Sequence, residues 1–525
     1  MKKGNIKVKS KPWSATRLWG ALEASSFLCG AAVMVLEMAG SRVVAPYMGT
    51  SLVVWTALIG VIMASLSLGY WLGGRMADRR PERKLLARVI FIASVFVCAT
   101  ALLANPILTF FARFPIGLYF SATFGAVLLF APASVLLGMV SPFIVRLAML
   151  DVGTSGATVG RFSAMSSAGS ILGTFLGGFV LISVFASGTI LLLTAAVLAL
   201  TASMLYYSAR QDSFKGAALF SAAFLAAASA SAAWGLPMML PGEHIDTQYN
   251  HIWVADQERA NGRRARYLMT GSVGESAQSV MYTDSPNELV SDYTKFYDLA
   301  FHYKPDIKKI LMLGGGAYCV PRHLLSTREV SVDVVEIDPG ITDVARKYFT
   351  LRDSDNPNIS IYHEDARTFL NRTSDGTHKY DAVFADVFGS WYSIPFHVTT
   401  VETARKMYDL LPPDGVLISN VISAIDGPRS GVLRGIHAAV SEVFPQVMIF
   451  PAQRPEPQFA QIRQNVMIVA LKSGVHGGEI MSDDVATVPN PEINRMLTHL
   501  WPGRFQPAVP FTDSFAPVER LALIE

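Results

Sequence analysis

Three cysteines in 525 residues, Cys29, Cys98 and Cys319, are too few and too scattered for a disulfide framework or a cysteine metal cluster. Charge is scarce as well. Asp, Glu, Lys and Arg make up 16% of the chain, where a soluble protein carries about a quarter. The net charge of +3 offers nucleic acid no field to bind. A cleaved signal peptide is not expected, because the first apolar run is too long and lacks a clear cleavage site. Neither a metal nor a nucleic-acid partner is expected.

Apolar sequence fills the space. Hydrophobic residues make up 51% and the mean hydropathy is +0.35. The excess is uneven: residues 20–237 hold long apolar runs, whereas 238–525 reads as a soluble domain. Residues 1–18 form a basic tail, expected to be cytoplasmic. Residues 19–237 are expected to be a transmembrane helical bundle in the lipid bilayer of the inner (plasma) membrane. Seven segments reach the about 20 residues a crossing needs, near 22–46, 52–74, 85–105, 117–145, 162–185, 187–207 and 216–236. The third is bounded by Asn105-Pro106, and Phe110 to Pro115 reads as interfacial. Gly169, Gly173 and Gly177, like Gly69 and Gly73, recur every four residues, the spacing of closely packed membrane helices. Glu37 lies inside the first segment, open between pairing with Arg42 and a functional role.

The basic loops, including the turn with Arg146 and Arg161, all face the cytoplasm if the N-terminus is inside. Seven crossings would then leave residue 238 onward outside. A cytoplasmic soluble domain is nevertheless expected.

Residues 238–300 alternate apolar and polar, as in a small β-unit, with strands at 249–254 and 266–269. Ser291 to Tyr303 reads as a helix. Residues 301–475 alternate strands and helices, the pattern of an open, mostly parallel Rossmann-like α/β sheet. Residues 476–525 read as a loop-rich C-terminal extension. The expected fold class is therefore a multi-domain chain, a helical bundle followed by an α/β domain with a small N-terminal β-unit.

In such a sheet the ligand lies outside the carboxyl ends of the strands. Lys309 to Leu313 runs into Gly314-Gly315-Gly316, a turn that lets backbone approach a ligand closely. Glu336 lies 20 residues beyond Gly316, the spacing at which an acid meets ribose hydroxyls. Asp338 follows it. Asp365, before the small Ala366, closes the third strand and suits an adenine amino group. Asp386 closes the fourth, where the reacting end of a cofactor would lie. Each acid alone could be a solvated loop charge; four strand ends in succession argue for a site.

These motifs resemble the spermidine synthase (polyamine aminopropyltransferase) family. The resemblance rests on Gly314-Gly315-Gly316, Val335-Glu336-Ile337-Asp338, Asp365-Ala366-Arg367 and Tyr380 to Asp386, with Gln278-Ser279 and Tyr293 upstream. With the apolar half, the whole chain resembles bacterial membrane-integral spermidine synthase-like proteins. Ala77-Asp78-Arg79, Ser393 to Thr400, Gln464-Asn465-Val466, Thr512-Asp513 and Ala516 to Glu519 carry that likeness. The resemblance implies S-adenosylmethionine, its decarboxylated form or methylthioadenosine as ligand, and no metal. In the family reaction an amine displaces methylthioadenosine, and a carboxylate removes the amine's proton. Matched by motif, Asp386 is that base. Gly314, Gly315, Gly316, Glu336, Ile337, Asp365, Ala366 and Gln278 form the cofactor-binding set. Tyr293, Asp338 and Tyr392 form the substrate-binding set. A polyamine acceptor and a homo-oligomer are left open.

Two departures bear on the substrate. Soluble members carry an Asp after the three glycines, where this chain has Ala317, and another three residues after the base, where it has Gly389. Losing each acid should cost a polycation about 1.5–3 kcal/mol per charged hydrogen bond. A second reading is thus cleavage of S-adenosylmethionine to methylthioadenosine and a lactone, which needs positioning rather than a base. Methyl transfer, or a non-catalytic nucleoside-sensing domain on a membrane transporter, are further alternatives.

Overall fold

The computed structural model describes residues 20–48, 51–113, 117–149, 155–208, 242–247, 249–270, 277–352, 357–374, 377, 379–388, 394–473, 490–503 and 508–524. The chain divides into two compact units. The first is helical: α1 (Ala21–Met48), α2 (Leu52–Arg79), α3 (Arg83–Arg113), α4 (Leu118–Ala148), α5 (Ser155–Phe175) and α6 (Ser187–Ser208). Among the described residues, six helices are long and apolar enough to cross a membrane. The tail and the segment at 216–236 lie outside the described residues.

Glycines set the helix contacts. A Cβ on Gly169 or Gly173 of α5 would come within 1.9 Å of the Phe27 carbonyl oxygen or 2.4 Å of that of Ala31, both on α1. Ser26 Oγ donates across the same seam to the Phe162 carbonyl at 3.0 Å, and Arg161 pairs with Glu23 at 2.6 Å. Gly69 and Gly73 seat α2 equally closely on Val135 and Met139 of α4. The small-residue spacing therefore does the packing it implied.

Two sequence expectations are corrected. Helix α3 runs through Pro106 to Arg113 instead of ending at Asn105. Pro106 removes one backbone donor, a loss membrane helices tolerate. Arg161 sits inside α5, which begins at Ser155, instead of in a turn. Glu37 lies inside α1, and both readings of it stay open.

The soluble unit opens with an antiparallel sheet, β1 (Glu243–Asp246), β2 (His251–Glu258), β3 (Arg264–Met269) and β4 (Ser279–Tyr282), in that order. Helices α7 (Asp292–Lys295) and α8 (Leu299–Tyr303), joined by a 3-10 turn, lead into the main sheet. Its strands are β5 (Lys309–Leu313), β6 (Ser331–Val335), β7 (Ile359–Tyr362), β8 (Ala382–Ala385), β9 (Val416–Ser423), β10 (Gln446–Pro451) and β11 (Gln464–Leu471). The order is β10-β11-β9-β8-β5-β6-β7. Strands β5 to β9 pair in parallel, and β11 is antiparallel to β9 and β10. The helices between them are α9 (Cys319–Thr327), α10 (Pro339–Tyr348), α11 (Ala366–Thr373), α12 (Val401–Leu410) and α13 (Gly431–Ser441).

The central strands are apolar and buried on both faces. Ile310 and Met312 face one core, Leu311 and Leu313 the other. That double burial explains why these strands read as continuous apolar runs. The C-terminal stretch joins the second core: Phe511, Val518 and Ala522 are 3%, 1% and 4% exposed. Strand order reverses between β5, paired to β6 on one side, and β8 on the other. A crevice opens at such a reversal, beyond the strands' carboxyl ends.

Candidate active site

The crevice is built on the glycine turn. Gly314 and Gly316 take φ of +90° and +49°, the left-handed region that a side chain strains. Gly314 has a second reason to lack one: a Cβ there would stand 2.1 Å from the Asp386 carbonyl oxygen. Asp386 N–H in turn donates to the Leu313 carbonyl at 2.8 Å. The turn and the β8 end are thus in backbone contact. Tyr318, also left-handed at φ 57°, packs its buried ring under Gly315 and meets Thr342 Oγ1 at 2.7 Å.

Glu336 ties the turn to the end of β6. Its Oε2 accepts Gly315 N–H at 2.9 Å and Gly316 N–H at 3.2 Å, and Oε1 accepts Asp338 N–H at 3.0 Å. Burial raises its pKa against the pull of these amides. With one donor on Oε1, a lone pair remains there for a hydroxyl. The next residue, Ile337, is 39% exposed, an apolar surface beside that carboxylate.

One cavity gathers Gln278, Tyr293, Gly314, Gly315, Gly316 and Asp386. Six residues singled out from sequence, spread over more than a hundred positions, therefore meet. Asp386 is the charged group among them. Burial lifts its pKa above the usual carboxylate range, while Asn420 and Tyr293 pull the other way. Asn420 Nδ2 donates to Asp386 Oδ1 at 2.9 Å. The Tyr293 phenol faces the same carboxylate, and burial followed by that negative charge pushes its pKa well up. A carboxylate held in this way can take a proton from an ammonium group that enters the cavity.

Residues 294–469 match the spermine/spermidine synthase domain. A polyamine aminopropyltransferase from Vibrio vulnificus is 31% identical over 156 residues, 29% of this chain and 51% of that one. Another, from Streptococcus pneumoniae, is 28% identical over 183 residues, 34% of this chain and 60% of that one. The chain thus spans half to three-fifths of the length of these curated relatives. Among solved structures, a probable spermidine synthase from Corynebacterium glutamicum is 20% identical, with a TM-score of 0.40, covering 54% of this chain and 94% of that one.

The remaining expected residues of the α/β domain fall elsewhere. Asp365 caps α11, its Oδ1 accepting Thr368 N–H at 2.9 Å, while Oδ2 meets His397 Nε2 at 3.0 Å. Burial opposes ionisation of Asp365, but these two partners prevail and its pKa is lowered. Ala366 is the first residue of that helix. Arg367 follows, forked onto Asp513 at 3.2 and 2.5 Å, and Thr400 Oγ1 donates to Asp513 at 2.7 Å. The Thr512-Asp513 motif thereby fastens the C-terminal stretch to the helix that carries Asp365.

Asp338 is wholly buried and, like Glu336, Ile337, Asp365 and Ala366, is not among the residues lining that cavity. It is the N-cap of α10, accepting Gly340 N–H at 2.9 Å, Asn250 Nδ2 at 2.8 Å and Thr247 Oγ1 at 2.5 Å. Its carboxylate joins the small β-unit to the α/β domain. Tyr392 and Gly389 lie outside the described residues.

Sequence reasoning named Ser279 beside Gln278 without a role, and it gave none to Asn420 or Tyr297. Ser279 Oγ accepts Ala317 N–H at 3.1 Å beside the glycine turn. Asn420 holds Asp386 from within β9. Tyr297 is 1% exposed, stacks 4.8 Å from Phe384, and its hydroxyl has no hydrogen-bond partner among the described residues. Asp386 and Tyr293 bear on that phenol electrostatically, after burial, and all three effects raise its pKa. A polar residue inside an apolar strand was the one available signal for Asn420.

Proposed function

We propose that the soluble unit is an aminopropyltransferase-type enzyme, which moves the alkyl chain of an S-adenosylmethionine-type sulfonium nucleoside onto an amine and releases methylthioadenosine. The observation that carries this reading is the meeting of Asp386, Tyr293, Gln278 and the glycine turn in one cavity. The synthase-domain match over 294–469 supports the same chemistry.

In this reading the amine nitrogen attacks the carbon beside the sulfonium. A C–N bond forms, the C–S bond breaks, and its electron pair leaves with neutral methylthioadenosine. Asp386 takes the nitrogen's proton, and its raised pKa makes it the stronger base. Tyr293 orients Asp386 and walls the amine path. The free lone pair of Glu336 Oε1 takes a ribose hydroxyl, Asp365 takes the adenine amino group beside Ala366, and Ile337 packs on the base. Gln278 contacts the nucleoside from the β-unit side. We place the soluble unit in the cytoplasm, where the donor is made.

The test uses the purified full chain with S-adenosylmethionine or its decarboxylated form, with and without putrescine, and follows products by mass spectrometry. Methylthioadenosine and an alkylated amine that both depend on putrescine are expected. Methylthioadenosine from S-adenosylmethionine alone would replace this reading by the lactone route, and no turnover of either donor would remove both.

A further inference from the structure

The Asp386 carboxylate ends a chain of side-chain amides. Asn420 Nδ2 donates to Asp386 Oδ1 at 2.9 Å, and Asn465 Nδ2 donates to Asn420 Oδ1 at 3.1 Å. Gln453 Nε2 then donates to Asn465 Oδ1 at 2.9 Å, and Gln453 Oε1 accepts Asn465 N–H at 3.0 Å. Asn420 is buried, Asn465 is partly buried and Gln453 is exposed, so the chain runs from solvent to the cavity.

The sheet builds it. The β8–β9 register ends at Ala385 opposite Ser419, so Asp386 and Asn420 are the next residues along. In the β9–β11 pair Asn420 lies opposite Met467, and Asn465, two residues away, shares its face as a diagonal neighbour. Ala452 N–H donates to the Asn465 carbonyl at 2.9 Å and brings Gln453 alongside.

The chain has one sense. A carboxylate only accepts, so Asn420 must turn its NH2 to Asp386. Its carbonyl then needs a donor, which Asn465 supplies, and Gln453 does the same for Asn465. Three amide dipoles thus point their positive ends toward one carboxylate, each polarising the next. Tyr293 and Tyr297, from the helical segment before β5, and Cys319, at the start of α9, are the other titratable groups around Asp386. Burial raises the pKa of all three, so none carries charge at neutral pH.

We propose that Asn420, Asn465 and Gln453 form a positioning relay that keeps Asp386 ionised and aimed into the cavity, with Asn465 and Gln453 acting on it without touching it. The proposal rests on the reading of Asp386 as proton acceptor. It gives Gln464-Asn465-Val466, a motif of the sequence that the proposed chemistry leaves unused, a role at the site.

The experiment compares Asn465→Leu, Asn465→Asp and Gln453→Leu in the detergent-solubilised full chain. Removing the relay disfavours ionised Asp386, so the acid limb of the kcat/KM profile moves to higher pH. For Asn465→Leu a shift of about one unit is expected, a tenfold loss on that limb, with methylthioadenosine affinity unchanged. Gln453→Leu, one link farther out and on the surface, shifts it less. Asn465→Asp shifts it more, because the new carboxylate draws the Asn420 NH2 to itself and leaves a carbonyl facing Asp386. A lowered plateau with an unmoved acid limb in all three variants would overturn the relay. If the wild-type chain turns over neither donor, the function reading has failed, and the relay is judged by thermal midpoints. At pH 8 the effects of Asn465→Leu and Asp386→Asn should then be non-additive; additive effects would overturn it.

Discussion

Gly314→Ala separates two costs that the glycine turn avoids. The first is strain: an alanine held at φ +90° costs about 1–3 kcal/mol. The second is collision. The new Cβ would lie 2.1 Å from the Asp386 carbonyl oxygen, where ordinary contact begins at 3.4 Å. Something must move by about 1.3 Å, the difference of those two distances. Backbone lies on both sides, so the turn and Asp386 move apart. Taking about 3 kcal/mol in all, the thermal midpoint should fall by roughly 6–12 °C. Misplacing a reacting group by about 1 Å costs roughly a hundredfold in rate. Gly262→Ala is the control, because Gly262 has φ +75° with nothing within 4 Å of its would-be Cβ. It carries the strain without the collision. Differential scanning fluorimetry and methylthioadenosine release would be measured on both variants. Equal midpoints and equal turnover for the two would refute the contact between the turn and Asp386.

Asp338→Asn replaces an acceptor by an amide that must turn a donor toward Gly340 N–H, Asn250 or Thr247, at about 1–3 kcal/mol. The midpoint should fall while the surviving protein binds methylthioadenosine as before; a selective loss of binding would return Asp338 to the ligand. Tyr297→Phe removes a buried hydroxyl without a partner, so the midpoint should hold or rise. A fall of several degrees would mean that a bound water or ligand satisfies it. Asp386→Asn tests a sign. The folded pKa of Asp386 is raised, so the folded state holds this proton more tightly than the unfolded chain, and stability is withdrawn as pH rises through the raised value. The variant should therefore be more heat-stable than wild type at pH 8, with the gain fading toward pH 4, while turnover is lost. A gain independent of pH would show that ionisation of Asp386 is not its source.

The strands flanking the crevice were legible because they are buried on both faces and read as nearly continuous apolar runs. Their ends were legible because acids and glycines stood out against that background. Glu243–Asp246 and Ser279–Tyr282 were not: four residues display no period, and these two lack the strand–helix alternation that marked the equally short β7 and β8. Asp338 was visible as an acid at a strand end, but Asp338-Pro339 is also the signature of a helix start, an N-cap followed by proline at the first helical position. Pro106 misled, since a proline that ends a helix in water need not end one among apolar neighbours. Asn420 was legible only as an oddity, because its meaning depends on a register with Asp386 and Asn465 that no single strand displays.

That register also changes how Ala317 is understood. From sequence, its replacement of an acid suggests a cavity with room for a carboxylate. In the structure Ala317 is wholly buried, packs in the core with Met312, Tyr318 and Val320, and is not among the residues lining the cavity. An acid there would be buried without a cation, a cost of several kcal/mol unless a ligand's ammonium group met it. Alanine avoids that cost and opens no described space. The amine reading uses Asp386. Among the described lining residues that carboxylate is the one charge, and Ser279, Ser291 and Thr294 supply hydroxyls beside it. Such a cavity grips an amine firmly at its reacting nitrogen and only by neutral contacts elsewhere, so its selectivity should come from reach and shape, with little contribution from a second positive charge.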